Sequence, residues 1–264
     1  MIENRNLPAL ISDLPSEIQT AITTLLEPPI KKTGDLSDNS SISEGLVYAK
    51  IFQPTSTYAP EGSKLGDFYT ERGILGSEIS VIPLVIWNSR TKWTSGTNRS
   101  IECFSPRAER PVDNKYSQFC VDCEHQKFTK AKPSECTFHY NLLGVINNFS
   151  EVAVFQFYKT SAKIGRQIFN AIRNDPTLPI FGKTFLISTA KPIDGGAYRV
   201  IVLKETIRTK GEYKGILEEL SVKYTTKVWD QIQRLEAGTV SEVDQKEQST
   251  GEPDIEIDVP KNIV

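Results

Sequence analysis

The order of apolar and polar residues between positions 46 and 209 is dominated by strand patterns. Runs rich in β-branched and aromatic residues are separated by Gly, Pro and Asn turn signals at fairly regular intervals. These runs predict β-strands over residues 79–87, 138–146, 151–158, 183–190 and 198–207. Evenly spaced strands of this kind predict a mainly β domain, folded as a barrel or a sandwich.

Three other segments carry apolar residues at helical spacing. The first follows Ser16 and is stopped by the Pro28-Pro29 pair. The second covers residues 162–174 after a Thr-Ser cap, and the third covers residues 216–235. The sequence therefore predicts a minor helical content, with one helix before the β domain, one inside it and one at its end.

Charge is distributed unevenly along the chain. The formal net charge is −2, but residues 236–264 hold eight acidic residues and two lysines, which leaves the rest at +4. This segment has no aromatic residue and too few apolar residues to form a core, so we predict a disordered acidic tail. It is either a solvated terminus without a role, an internal polyanion that competes with nucleic acid, or a docking peptide for partner proteins.

The predicted organisation has three parts. Residues 1–45 form an N-terminal helix and a polar linker, residues 46–235 form the β domain, and residues 236–264 form the acidic tail. No apolar stretch is long enough to cross a bilayer, so we expect no membrane partner.

All four cysteines fall within one 34-residue window, as Cys103, Cys120, Cys123 and Cys136. Four thiolates, two of them in a Cys-x-x-Cys turn, match a structural Zn²⁺ site, which leaves no open position for chemistry. Disulfides or free thiols are the alternatives, and disulfides need an oxidising compartment. No secretory signal follows Met1, so we expect a cytoplasmic protein, in a host cell if the chain is viral. His125 or His139 could replace one cysteine as a ligand.

Signals for catalysis are poor. The sequence lacks a phosphate-binding P-loop, the His-Glu-x-x-His zinc motif, the Gly-x-Ser-x-Gly elbow and the His-x-Glu of zinc deaminases. A zinc-dependent nuclease would need a histidine base beside the cysteines, a role open only to His125 and His139. We therefore expect no catalytic residues and keep the nuclease as an alternative.

Basic and aromatic residues are interleaved around the cysteine window. Single-stranded nucleic acid needs this mixture, because its bases stack on rings and its phosphates pair with cations. Phe155, Phe169 and Phe185 are assigned to the core, whereas Trp93, Phe128 and Tyr158 are expected to be exposed. The candidate nucleic-acid contacts are Arg90, Lys92, Trp93, Arg99, Phe128, Lys130, Lys132, Tyr140, Tyr158, Lys159, Lys163 and Arg166.

The order of these features resembles the zinc-containing single-stranded DNA-binding proteins of tailed bacteriophages. The resemblance is carried by VIPLVIW at 81–87, RTKW at 90–93, the Cys103 strand, the cysteine loop, a β-hairpin, and YKTSAK at 158–163 opening a helix. It covers about residues 78–173 and the acidic tail. It implies an OB-fold, a zinc loop inserted between barrel strands, and a tail that contacts replication or recombination proteins. Some members use three cysteines and a histidine.

The sequence and the resemblance together predict a mainly β protein with minor α content. Its core would be an OB-fold-like five-stranded barrel over residues 46–235, with a zinc-stapled loop insertion over 103–136 and flanking helices. We expect it to coat and protect single-stranded DNA during replication or recombination. The alternatives are a zinc-dependent nuclease and a virion or host-interaction module with a purely structural zinc clasp.

Overall fold

The computed structural model describes residues 11–12, 14–26, 46–56, 59–95, 100–128, 134–193 and 195–237. Within these residues the chain forms two antiparallel β-sheets and three α-helices. This confirms the prediction of a mainly β protein with minor helical content. None of the described helices is long and apolar enough to cross a membrane.

The elements follow the order that the hydrophobic pattern indicates. The strands among the described residues are β1 (Lys50–Ile51), β2 (Phe68–Thr70), β3 (Gly73–Gly76), β4 (Glu78–Trp93), β5 (Ile101–Ser105), β6 (Cys136–Ile146), β7 (Glu151–Phe157), β8 (Lys183–Ala190) and β9 (Val200–Arg208). The helices are α1 (Ser16–Leu26), α2 (Ala162–Arg173) and α3 (Lys214–Glu236). Strand β8 has its predicted bounds, and α2 and α3 lie within two residues of theirs.

The long strand β4 organises the main sheet, whose strand order is β7-β6-β4-β8-β9 with β5 added beside β4. The first residues of β4 pair with β8 and the last pair with β5, while β6 runs along the other edge. Between β8 and β5, the Ser221 hydroxyl of α3 donates a hydrogen bond to the Leu84 carbonyl of β4 over 2.9 Å. Helix α3 therefore satisfies part of a strand edge that no described strand covers.

The main sheet has an irregularity where Pro83 of β4 faces Gly144 of β6, next to a shift of register. Proline has no N–H to give to the ladder, and strands tolerate it at such irregularities. A Cβ atom at position 144 would lie 2.7 Å from the Val81 side chain and 2.8 Å from the Ile82 carbonyl oxygen. Glycine at this position therefore allows the two strands to approach closely.

Apolar clusters lie on both faces of the main sheet. One joins α1 and α3 to the sheet and includes the fully buried Ile22, so the N-terminal helix packs on the β domain. The other packs against α2 and includes Ile168. The assignment of three phenylalanines to the core is confirmed, because Phe155, Phe169 and Phe185 are at most 3% exposed.

The small sheet, β1-β2-β3, bridges the two ends of the main sheet. On one side the Ala49 N–H donates to the Val154 carbonyl of β7 over 2.9 Å, and the Val154 N–H donates to the Val47 carbonyl over 2.7 Å. On the other side the Gln53 side chain exchanges two hydrogen bonds with the backbone of Arg199, next to β9. No described strand pairs β7 directly with β9. Within the described residues the main sheet therefore has six strands and does not close into a barrel, because residues 47–53 lie between its two ends.

Candidate functional site

The four cysteines meet at one end of the main sheet. Lys92 of β4 pairs with Cys103 of β5 on one side and with Cys136 of β6 on the other. Cys120 begins a short 3₁₀ turn between β5 and β6, and Cys123 follows it, with its N–H donating to the Cys120 carbonyl over 3.2 Å. All four line one small cavity of about 20 Å³, which we term the cysteine cavity. A cavity of this size can hold roughly one water molecule or one ion.

The four cysteines are free thiols, with no disulfide among them. Burial raises the pKa of Cys103 to about 12, and Asp113 and the other cysteines add to the effect. Burial also raises the pKa of Cys136, although the charge of Arg90 and a hydrogen bond with it oppose the shift. A metal ion that bound the thiolates would displace these protons, as Zn²⁺ does at four-cysteine sites.

The donor atoms and the cavity volume fit a zinc ion, but the sulfur atoms are not gathered around one centre. Among the described residues, no group of three or more His, Cys, Asp or Glu side chains is arranged to hold a metal ion. The described lining of the cavity also includes no histidine. His125 instead pairs with Glu135 over 2.7 Å, and the His139 ring packs 5.0 Å from the Tyr158 ring. Metal binding would have to draw the four thiols together.

A charged network fills the space beside the cysteine cavity. Glu102 of β5 accepts hydrogen bonds from Lys92, from Lys115 and from the Tyr116 hydroxyl. These donors, Lys92 foremost, lower the pKa of Glu102 to about 2. Lys92 is only 8% exposed, and its ammonium also lies 3.8 Å from Glu135. Lys92, predicted to contact nucleic acid, therefore neutralises carboxylates within the fold and offers little surface to a phosphate.

Arg90 and Tyr140, two further predicted contacts, belong to a row of rings and guanidinium groups that crosses the sheet. Arg90 lines the cysteine cavity and lies 4.9 Å above the Phe138 ring. Phe138 meets Tyr140 edge-on at 4.9 Å, and Tyr140 meets Phe169 edge-on at 5.1 Å. Both predicted contacts are half-buried. The row therefore connects the cysteine cavity to helix α2.

The exposed members of the predicted interface lie where β7 leads into α2. Tyr158 is 36% exposed, Lys159 follows with a left-handed backbone (φ 48°), and Lys163 and Arg166 are exposed on neighbouring turns of α2. The turn is fixed by the Ser161 hydroxyl, which donates to the Tyr158 carbonyl and accepts from its N–H, each over 2.9 Å. Within the described residues, neither Lys163 nor Arg166 forms an ion pair. We term Tyr158, Lys159, Lys163 and Arg166 the α2 patch.

The α2 patch and the cysteine cavity lie at the same end of the main sheet. Tyr140 of β6 pairs with Phe157, the residue before Tyr158, and is four residues from Cys136. At about 3.3 Å per strand residue, roughly 13 Å therefore separate the two sites along the strand. A bound strand of nucleic acid could reach both.

The remaining predicted contacts are spread around the cysteine connection or lie outside the described residues. Phe128 is 77% exposed, as expected, whereas Trp93 is half-buried at the end of β4, where it pairs with Ile101. Outside the described residues are Arg99, Lys130, Lys132 and the acidic tail from residue 238 onward. Among the described residues predicted to contact nucleic acid, those of the α2 patch lie next to one another and are all exposed.

The sequence analysis missed two arginines inside the connection between β5 and β6. Arg110 is exposed and lies 4.6 Å above the Phe119 ring. Arg107 lies 5.1 Å above the Trp229 ring of α3 and pairs with Glu236 over 3.1 Å. The interleaving of basic and aromatic residues that pointed to the other candidates was present here too. Arg110 adds a cation at the cysteine end, and Arg107 ties the connection to the last turns of α3.

Replacing Arg107 with alanine is expected to loosen the end of α3. The change removes a cation–π contact of about 0.5–2 kcal/mol and an exposed ion pair of about 0–1 kcal/mol. Hydrogen exchange over residues 229–237 should therefore accelerate, roughly 3- to 30-fold. Arg110→Ala is the matched control, because it removes an arginine stacked on Phe119, for which the described residues show no hydrogen bond or ion pair with α3. Unchanged exchange in Arg107→Ala would show that these contacts do not hold the helix end.

The geometry identifies two candidate sites at one end of the sheet. The cysteine cavity offers the donor atoms of a structural metal site, and the α2 patch combines an exposed ring with three basic side chains. No protein-family model matches the chain, and no curated protein or solved structure matches it either.

Proposed function

We propose that this chain is a single-stranded DNA-binding protein that coats and protects DNA during replication or recombination. The α2 patch carries the proposal, because an exposed ring beside three cations supplies both stacking and phosphate neutralisation. Bases would stack on Tyr158, while Lys159, Lys163 and Arg166 would contact phosphates. The role is stoichiometric, so no residue is assigned a catalytic task.

An OB-like barrel and a structural zinc ion complete the proposal. An OB-fold is a partly open barrel. The proposal of an OB-like barrel is supported by residues 47–53, which form hydrogen bonds with β7 on one side and with the backbone before β9 on the other. A zinc ion would be held by Cys103, Cys120, Cys123 and Cys136, and would stiffen the connection between β5 and β6. Four thiolate ligands leave the metal no open position, so it would supply no chemistry.

The partners and the place of action follow from the resemblance to tailed-phage proteins. The acidic tail would contact replication or recombination proteins, in the cytoplasm of a host cell.

A zinc-dependent nuclease has less support, because neither histidine is among the described residues that line the cysteine cavity. A host-interaction module with a structural clasp would show no DNA affinity even at low salt.

The test is a pair of fluorescence titrations with single- and double-stranded oligonucleotides of equal length, repeated over a series of salt concentrations. Single strands should bind more tightly, with a salt slope of about −0.7 per phosphate contact, hence roughly −2 for the three cations of the α2 patch. The double variant Lys163→Gln/Arg166→Gln should weaken binding and bring the slope to roughly −0.7.

The matched control removes two lysines at the opposite end of the sheet. Lys210 and Lys214 flank Tyr213, which packs on Phe149 in the turn between β6 and β7. Lys210→Gln/Lys214→Gln should therefore keep the wild-type slope. Equal affinity for single and double strands, or equal effects of the two double variants, would contradict the proposal. Degradation of labelled DNA with Mg²⁺ would favour the nuclease instead.

A further inference from the structure

A second cleft opens at the opposite end of the main sheet from the cysteine cavity. It has a volume of about 390 Å³ and lies between strand β3 and the turn that joins β6 to β7. Strand β6 contains 11 residues from Cys136 to Ile146, so at about 3.3 Å per residue roughly 33 Å separate the two sites. The cleft is therefore distinct from the surfaces assigned above.

Glu151, the first residue of β7, contributes a buried carboxylate to this cleft. Its side chain is 7% exposed. The Oε2 atom accepts a hydrogen bond from the Thr70 hydroxyl over 3.0 Å, while no described residue donates one to Oε1. Burial raises the pKa of Glu151 above its ordinary value. A buried carboxylate oxygen without a hydrogen bond destabilises the fold. A ligand that donates a hydrogen bond to Oε1 would remove this destabilisation.

Arg72 lies beside the unsatisfied oxygen without forming a hydrogen bond to it. The Nε atom of Arg72 is 3.8 Å from Oε1 of Glu151, and the Arg72 side chain is 56% exposed. A ligand can therefore move the guanidinium aside without breaking a hydrogen bond. The displaced guanidinium still has N–H groups to donate to an acceptor on the same ligand.

The walls of the cleft are held in place by Asn147. Its side-chain oxygen accepts a hydrogen bond from the Ser80 N–H over 2.9 Å, and its side-chain nitrogen donates a hydrogen bond to the Leu75 carbonyl over 3.3 Å. The turn has left-handed backbone at three successive residues, with φ of 42° at Asn147, 55° at Asn148 and 69° at the fully buried Phe149. Such a conformation persists only where the surrounding structure fixes it, so the cleft is preformed.

We propose that this cleft binds the base guanine. A carboxylate accepts N–H groups and a neighbouring guanidinium donates to oxygen, so the pair matches a molecular edge with donors beside an acceptor. Guanine has such an edge, because its N1–H and 2-amino groups donate and the adjacent O6 accepts. Adenine, cytosine and thymine each lack the paired donors. The Ile74 side chain, 41% exposed, offers the ring an apolar wall, and the cleft volume is in the usual range for small ligands.

The base can belong to a free nucleotide or to a nucleic-acid strand, because the recognised edge is the same in both. The inference goes beyond DNA binding at the α2 patch and needs neither that activity nor a metal ion.

Isothermal titration with the 5′-monophosphates of guanosine, inosine and adenosine tests the proposal with ligands that share their sugar and phosphate. Guanosine monophosphate is expected to bind. Inosine monophosphate lacks the 2-amino donor and should bind about 10- to 100-fold more weakly, and adenosine monophosphate should not bind measurably. Equal affinity for the guanine and adenine nucleotides would overturn the proposal, as would no guanine binding at millimolar concentration.

Variants locate the binding in the cleft. Glu151→Gln removes the charge at nearly constant size and should weaken guanosine monophosphate binding about 10- to 100-fold. Glu124→Gln, which neutralises an exposed acidic residue at the opposite end of the sheet, is the matched control and should bind normally. Unchanged affinity in folded Glu151→Gln would also overturn the proposal.

The stability of the variants separates loss of binding from unfolding. Because the pKa of Glu151 is raised in the folded state, its ionisation destabilises the fold as the pH rises above the ordinary pKa of glutamate. Glu151→Gln should therefore melt at or above the wild-type temperature at neutral pH. If it does not fold, the exposed Arg72→Gln serves instead and should weaken guanine binding at least several-fold.

Two further titrations identify the source of the base. In the Lys163→Gln/Arg166→Gln variant, a thymine oligonucleotide with one guanine should bind more tightly than guanosine monophosphate and than the same oligonucleotide without guanine if a strand is the ligand, and no more tightly than guanosine monophosphate if a free nucleotide is. Lys163→Gln/Arg166→Gln should leave guanosine monophosphate binding unchanged. Loss of nucleotide binding in that variant would place the site on the α2 patch and overturn the proposal, whereas loss of DNA binding alone bears only on the proposed function.

Discussion

Replacement of Cys120 or Cys123 with serine is expected to release the proposed zinc ion and to open the connection between β5 and β6 to proteases. Serine keeps its proton at neutral pH, so the site loses a thiolate ligand. Structural zinc sites in small peptides contribute about 10–16 kcal/mol, which makes this the largest expected effect. The sheet should stay folded, because its two apolar clusters contain none of the four cysteines.

Zinc content after dialysis and the rate of limited proteolysis measure the two consequences. Ser117→Ala provides a matched control, because Ser117 lines the same cavity but supplies no thiolate. It should retain one zinc per chain and the wild-type cleavage pattern. A wild-type protein purified without metal, with its cysteines paired in disulfides, would refute the zinc proposal.

Removal of the Tyr158 ring is expected to cost the protein about 1–3 kcal/mol of single-stranded DNA affinity, or roughly 5- to 150-fold, if bases stack there. The ring is 36% exposed and rests against His139, at a distance of 5.0 Å between ring centroids. Tyr158→Phe keeps the stacking surface and should bind nearly as well as the wild type. Trp93→Ala is expected to act like Tyr158→Ala, although Trp93 is half-buried.

Salt dependence distinguishes stacking from charge. Tyr158→Ala removes no cation, so its affinity should fall equally at every salt concentration and leave the slope unchanged. Lys163→Gln/Arg166→Gln should instead reduce the slope. Anisotropy titrations of both variants with the same labelled oligonucleotide provide the comparison. Wild-type binding by both Tyr158→Ala and Trp93→Ala would show that the stacking residues lie elsewhere.

Strands that are long and strongly patterned could be predicted from the sequence, whereas the small sheet could not. Strand β8 has its predicted bounds, but β4 continues to Trp93 because β5 and β6 pair with its far end. Strand β3 begins and ends with Gly73 and Gly76, both at positive φ, and so has no strand-like pattern. Its place depends on contacts with residues distant in the sequence, as does the open form of the main sheet.

The sequence indicated where the residues of the candidate site lie along the chain better than it indicated how exposed they are. The spacing of the four cysteines placed them in one window of the chain, and in the structure all four line one cavity. For basic residues on a strand, however, spacing cannot tell whether a loop covers them. Lys92 is buried among the carboxylates of Glu102 and Glu135, and Arg90 lines the cysteine cavity. The exposure of Lys163 and Arg166 could be predicted, because both lie off the apolar stripe of α2.

The contact of Arg107 with Trp229 and Glu236 also fixes where the acidic segment departs from the folded body. Glu236 is already paired with Arg107, so residues 238–264 carry seven acidic residues and two lysines, a net charge of −5. Glu236, at the end of α3, lies beside the connection between β5 and β6 through Arg107, and not beside the distant cleft at Glu151. If the acidic segment recruits a partner as proposed, that partner would be held next to the end of the sheet proposed to bind DNA, and the Arg107 contacts would couple its recruitment to the connection between β5 and β6.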